Sequence, residues 1–344
     1  MKRAPLRALA LLACLFVLGL DAGPAPLIRA EAWTQATPHL AHDLTTAPGE
    51  CYAPPADPAA RQSAEIGRAL FRSPALIGGP AARMGLSCEA CHDNGRANAH
   101  FYLDALTDTP GAADVTSSWS SRLRGDGVMN PRPIPDLVDV GARPTHGAGH
   151  IASLDAFVHS VIVEEFQGAE PSPQAMASLL TYLRALHSDA CTSQAETPIT
   201  LASQADDVRR ALDVVISTDV STRPAVLLAA RALIGRIAER LPAPEFTVER
   251  ADLAALSREL ANGPASPRWR ARFDALIARI TPRGAQTYYN EQTLQAALAA
   301  RRDVVPPQSP RQDGRAVIRR WSRDVVPAAS FFLCAGAADP CGRL

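Results

Sequence analysis

The sequence predicts an all-α chain in two helical parts, and three observations carry that expectation. Aromatic residues make up only 5% of the 344 residues, while Ala and Leu abound, a composition that favours helices over strands. Apolar residues recur at i, i+3, i+4 and i+7 through much of residues 201–300. Gly and Pro stand where those runs would stop. A chain of this length exceeds what one ordinary core holds, so two domains are expected.

Lys2, Arg3 and Arg7 precede the apolar run of residues 8–20, and Ala30-Glu31-Ala32 offers a small-x-small cleavage site. This is the layout of a secretory signal over residues 1–32. The apolar run is too short to span a bilayer comfortably, so the expectation is an exported, periplasmic chain that starts near Trp33 and has no stable membrane anchor. Residues 33–60, rich in Pro, Thr and Ala, read as an extended lead-in. From Ala64 to Phe71 apolar residues have helical spacing (Ile66, Ala69 and Leu70), and Pro74 with Gly78-Gly79-Pro80 ends that helix. From Asn94 to Val140 there is little periodicity and much Gly, Pro, Asp and Ser, which predicts a long structured loop of a kind usually kept for a functional task.

Ser153 opens a helix running toward Glu165, and the adjacent Glu164 and Glu165 read as a solvated helix end because neighbours do not share a helix face. Ser172 as N-cap with Pro173 behind it opens another, with Leu179, Leu180, Leu183 and Leu186 on its apolar side. Cys191 closes a domain of residues 61–191, and residues 192–200 read as a linker. In residues 201–344 the apolar series are Val208, Leu212 and Val215, then residues 226–241, then Leu253, Leu256 and Leu260. Trp269, Phe273, Leu276, Ile277 and Ile280 follow, and finally residues 289–300. These predict a bundle of four or five helices.

Acidic and basic residues balance at 35 each, which argues against a nucleic-acid or anionic-membrane partner. Lys2 is the only lysine, so arginine-rich patches do not mark phosphate sites here. Of the seven cysteines, Cys14 lies in the leader and Cys88 and Cys91 form a Cys-x-x-Cys-His with His92. Cys51, Cys191, Cys334 and Cys341 remain, and in an oxidising compartment they predict two disulfides with three pairings open. Cys51 with Cys191, which bracket the motif, and Cys334 with Cys341, which close a small loop, are the favoured pairs.

No second Cys-x-x-Cys supports a zinc site, and no βαβ pattern supports a thioredoxin-like dithiol. In an exported chain Cys-x-x-Cys-His is the attachment signature of c-type haem. Thiols one helical turn apart reach the two vinyl groups, and the adjacent His92 lies under the iron as proximal ligand. One covalently bound haem is therefore expected. Met129, in the loop 126–131, is the first candidate for the sixth iron ligand, with His146 and His150 as alternatives and a vacant position as the fourth. Met84 and His100 lie too close to the motif, and Met176 falls within the closing helix, where methionine usually fills core. Arg96 follows the motif closely enough to meet a haem propionate.

These residues carry a resemblance. The stretches from Glu65 to Phe71, Pro74 to Leu76 and Ser87 to His92 resemble the start of a haem domain in the bacterial di-haem cytochrome c peroxidase family, which includes the methylamine utilisation maturation enzymes. Ile134-Pro135-Asp136-Leu137 resembles its Pro-x-Leu segment, and Pro144 to Asp155 is similar to its histidine-bearing glycine loop. The likeness spans roughly residues 60–190. It implies a cytochrome c-like haem domain followed by a small helical bundle, with the first and last helices of the haem domain crossing near Gly67, Phe71 and Tyr182. The family carries two haems, whereas this chain has one motif and cannot run a two-haem mechanism alone. The expectation is an exported mono-haem electron carrier whose redox partner is another cytochrome or a dehydrogenase. The alternatives are a peroxidase-type enzyme with an open iron site and an outside electron donor, or a haem-based sensor with the helical half as its output.

Overall fold

Why the first long helix forms is legible one residue at a time. Asp57 accepts a hydrogen bond from the Ala60 amide at 2.7 Å, and Pro58 occupies the first helical position, where its fixed φ and missing N–H cost nothing. The helix runs Pro58–Phe71, six residues longer at its start than the apolar spacing predicts, because its first turns expose Arg61 and Gln62. In the computed structural model, which describes residues 26–304 apart from 118, 148 and 193–195, this helix is the second of eleven. The leader through residue 25 and the Cys334–Cys341 pair lie outside the described residues.

In chain order the described elements are α1 (Leu40–Asp43), β1 (Thr46–Pro48), α2 (Pro58–Phe71), α3 (Gly79–Arg83) and α4 (Cys88–Cys91). Then come β2 (Ala112–Ala113), β3 (Arg132–Pro133), α5 (Leu154–Ser160), α6 (Pro173–Arg184) and β4 (Glu196–Pro198). The second half holds α7 (Leu201–Val215), α8 (Arg223–Glu239), α9 (Thr247–Asn262), α10 (Arg268–Ile280) and α11 (Glu291–Val304). The mainly helical expectation holds. Between α4 and α5 the chain is a long loop pinned by the β2–β3 pair, as its composition predicts.

Ser172 and Ser153 cap α6 and α5 as expected, accepting from Ala175 and Ala156 amides. Helices α2 and α6 cross at Gly67. A Cβ placed there would lie 2.0 Å from the Ser178 carbonyl oxygen, so the two backbones approach more closely than any side chain permits. Phe71 and Tyr182 meet beside the crossing, ring centroids 5.3 Å apart. All five helical segments expected after residue 200 are present, and α8 is buried nearly all round, from Val226 through Ala238.

The two halves share one core. Ile66, Leu70 and Phe71 of α2 and Leu179 and Leu183 of α6 belong to the same apolar cluster as Val208, Ile234, Ile237, Leu256 and Phe273. Within the segment read as a linker, residues Glu196–Pro198 form a strand. β4 pairs antiparallel with β1, Thr46 opposite Pro198, and the Cys51–Cys191 disulfide closes the same neck. That disulfide is one of the two pairs favoured from sequence. The physical reason is that backbone N–H and C=O groups beside a core need partners, and another strand supplies them.

Residues 27–32, at the end of the segment read as leader, lie against the fold: Ile28 is buried against Leu40, Leu44, Leu294 and Leu298, and Arg29 Nε donates to Glu239 at 2.9 Å. One further expectation is corrected. Glu165 is not a solvated helix end. The chain widens into a π turn at Val161–Glu165, and Glu165 is buried against Arg124, while Glu164 stays outside and accepts from the same guanidinium at 2.8 Å. No described helix is long and apolar enough to cross a membrane.

Candidate functional site

The Cys-x-x-Cys-His forms a single helical turn, closed by the His92 amide donating to the Cys88 carbonyl at 2.9 Å. Cys88 and Cys91 carry free, half-buried thiols. They belong to different surroundings: Cys88 packs against the large shared core, and Cys91 against a second cluster containing Met84, Leu86, Phe101, Leu103 and Ile134. The motif thus stands at the seam between two apolar bodies. Loop polar groups hold its far end, where Asn98 donates its side-chain amide to the Ala90 carbonyl at 2.8 Å and its backbone amide to Cys91 O at 3.0 Å.

His92 Nδ1 lies 3.0 Å from the carbonyl oxygen of Pro135. A carbonyl can only accept, so Nδ1 carries the proton and the lone pair sits on Nε2. Burial depresses the His92 pKa to about 4, against the smaller opposing pull of the Pro135 carbonyl and Asp136. The imidazole is neutral at pH 7, with its orientation fixed from behind, the state a metal-ligating histidine needs. Burial pushes the Cys88 thiol up to about 11 and the Cys91 thiol up to about 12. A dithiol oxidoreductase requires a depressed thiol pKa, so the reading of this motif as a redox dithiol finds no support in its surroundings.

The donor set suits a metal that brings most of its own ligands. Among the described residues no group of three or more His, Cys, Asp and Glu side chains is arranged to hold a bare ion. A porphyrin-bound iron asks the protein for one axial nitrogen and, in the c-type, two thiols, and His92, Cys88 and Cys91 offer these. The apolar walls on either side suit a flat, mainly apolar macrocycle.

The remaining candidates are dispersed. The Arg96 Nε pairs with Asp136, beside the proline that orients His92, so its charge is engaged by the protein. Met129 is half exposed in the loop. His146 is buried and stacks on Phe157 with ring centroids 5.8 Å apart. His150 is exposed in a left-handed turn, φ 51°. Met84 is core, as its place in the second cluster shows.

Sequence reasoning missed a buried charge network behind the motif. Arg72, 1% exposed, donates to Glu50 at 2.9 Å and to the Asn94 side chain at 2.8 Å. Its Nε lies 2.8 Å from Glu89 Oε1, a charge contact too bent to count as a hydrogen bond. Arg68 pairs with Glu50 and Asp207, the Tyr182 hydroxyl donates to Glu50 at 2.8 Å, and Arg236 of α8 pairs with Glu89. Burial opposes ionisation of Glu50, yet the guanidiniums of Arg72 and Arg68 outweigh it and hold its carboxyl at about 2, below the usual 4.5. A cavity of about 300 Å³ lies beside this network, lined by Arg29, Trp33, Arg72, Asp93, Arg236 and Arg240 among others. Trp119, packed on the second cluster, has a buried Nε1 with no acceptor among the described residues. Arginine abundance gave no local hint of the network, since its members lie far apart in sequence.

No protein-family model matches the chain, and neither a curated protein nor a solved structure does.

Proposed function

We propose that this protein is an exported mono-haem c-type cytochrome that carries electrons to or from a partner redox protein. The observation that supports it most is the pair formed by His92 Nδ1 and the Pro135 carbonyl, in the same helical turn as two free thiols at an apolar seam. When bound, a c-type haem supplies a reversible one-electron couple between ferrous and ferric iron. Cys88 and Cys91 would attach it, His92 Nε2 would ligate the iron, and the Pro135 carbonyl keeps that nitrogen unprotonated. The apolar clusters packed against Cys88 and Cys91 would limit reorganisation when charge changes. The fold of residues 58–191, with α2 crossing α6 beside an aromatic pair, supports reading this part as cytochrome c-like.

The runner-up, a peroxidase-type enzyme with an open iron position, is favoured by one observation: Met129 is half exposed and His146 is engaged with Phe157. The test is to express the chain with a c-haem maturation system and record mass, optical and paramagnetic resonance spectra for wild type, Cys88→Ala/Cys91→Ala and Met129→Ala. The expected result is one haem per chain, lost in the double cysteine variant. A low-spin ferric spectrum that turns high-spin in Met129→Ala supports the electron carrier with Met129 as sixth ligand. A high-spin spectrum that ignores the mutation and shifts with peroxide moves the enzyme to first place, and a wild type without covalent haem overturns both readings.

A further inference from the structure

The motif turn is braced at both ends, on the Glu89 side by an arginine of the chain's second half and on the Asn94 side by Arg72 and Pro48. Glu89, between the two cysteines, is 8% exposed and faces two guanidiniums: Arg72 Nε at 2.8 Å and Arg236 Nη1, which pairs with its other oxygen. Arg236 Nη2 donates in addition to the Arg72 carbonyl at 3.1 Å, so one side chain of α8 holds both the motif turn and the end of α2. On the other side of His92, Asn94 adopts a left-handed conformation, φ 51°. There its side chain accepts from Arg72 at 2.8 Å and donates to the Pro48 carbonyl at 2.9 Å. Glu89 within the Cys88–His92 segment and Asn94 just after it therefore share one buried arginine.

We propose that Arg236 and Arg72 are positioning residues for the site: through Glu89 and Asn94 they fix the motif turn and set the charge balance felt at the redox centre. The inference rests on the haem reading above and gives residues 201–304 a task that their sequence does not reveal. Glu89 stands within one helical turn of both attachment thiols and of His92, in a setting where charges are poorly screened. A cation there opposes the extra positive charge of the oxidised centre and an anion favours it. At Glu89 two guanidiniums, of Arg72 and Arg236, face one carboxylate, and Arg72 is shared with Glu50.

Signs follow that a merely structural role would not produce. Arg236→Gln removes a cation and leaves Glu89 less neutralised, so the midpoint potential falls. Glu89→Gln removes the anion, so the potential rises. The double variant returns toward wild type, and Arg236→Lys, which keeps the charge but loses the planar fork, keeps the potential while lowering the yield of covalent haem per chain. The measurement is a spectroelectrochemical titration of each matured variant beside its haem-to-protein ratio. Opposite shifts in the two single variants support the proposal. Equal potentials, or shifts in the same direction, overturn it while leaving the haem reading intact, because both proteins still carry haem. Where Arg236→Gln does not fold, the sign of the Glu89→Gln shift decides. Absence of covalent haem from the wild type overturns the haem reading and this inference with it.

Discussion

Glu50 shows at the scale of one residue how much this chain entrusts to buried charge. Its carboxyl meets Arg72, Arg68 and the Tyr182 hydroxyl, and its folded pKa of about 2 lies below the ordinary 4.5. A depressed carboxylate favours folding in its ionised form, so its contribution is complete above pH 4.5 and is lost as the pH falls toward 2. A depression of that size is worth at most about 3 kcal/mol. Glu50→Gln should lower stability at pH 7 and flatten the loss of stability across that acid window, read from urea midpoints at a series of pH values. An acid slope matching wild type would assign the sensitivity to other carboxylates. None of this was visible in the sequence, where Glu50 sits within a Pro-rich lead-in and its partners Arg68, Arg72 and Tyr182 stand 18, 22 and 132 positions away.

Among elements, the crossing of α2 and α6 carries the sharpest expectation. Alanine ordinarily outranks glycine inside a helix by about 1 kcal/mol. At Gly67 the order should invert, because the added Cβ would meet a backbone oxygen at 2.0 Å and one helix must move. Gly67→Ala should cost about 1–3 kcal/mol and lower the thermal midpoint, whereas a rise would show that the helices can separate freely. The helices themselves were legible because caps, prolines and apolar spacing act within a few residues: Ser153, Ser172, Pro173 and the leucines of α6 sit where the pattern put them. Glu165 escaped the helical pattern because a π turn adds a residue to the repeat and rotates the residues after it onto another face. The strand at Glu196–Pro198 was missed because three residues hold no period and its partner lies far upstream. For the site, the thiols and His92 were readable from spacing alone, while the Pro135 carbonyl that orients His92 was present only as a segment likeness.

For the whole molecule, the shared core and the neck formed by β1, β4 and the Cys51–Cys191 disulfide imply that the two halves do not stand apart. The intact protein should unfold in one cooperative transition. A fragment ending at residue 200 would leave the α2 and α6 apolar faces without α7 and α8, and it should lack a sharp thermal transition by circular dichroism. Two resolved transitions in the intact chain, or a cooperatively folded fragment, would restore the two-domain description. The packing of Ile28 and the Arg29–Glu239 pair belongs to the same picture, since residues ahead of Trp33 are part of the body that unfolds.

The contact between Arg236 and Glu89 joins positions 147 residues apart. A polypeptide is made from its N-terminus, so the motif is laid down long before the arginine that braces it. During that interval Cys88 and Cys91 are reachable on a pliant segment, and afterwards they are held. The freedom of the segment carrying the two thiols is therefore timed by the chain's own length, and it narrows when α8 arrives.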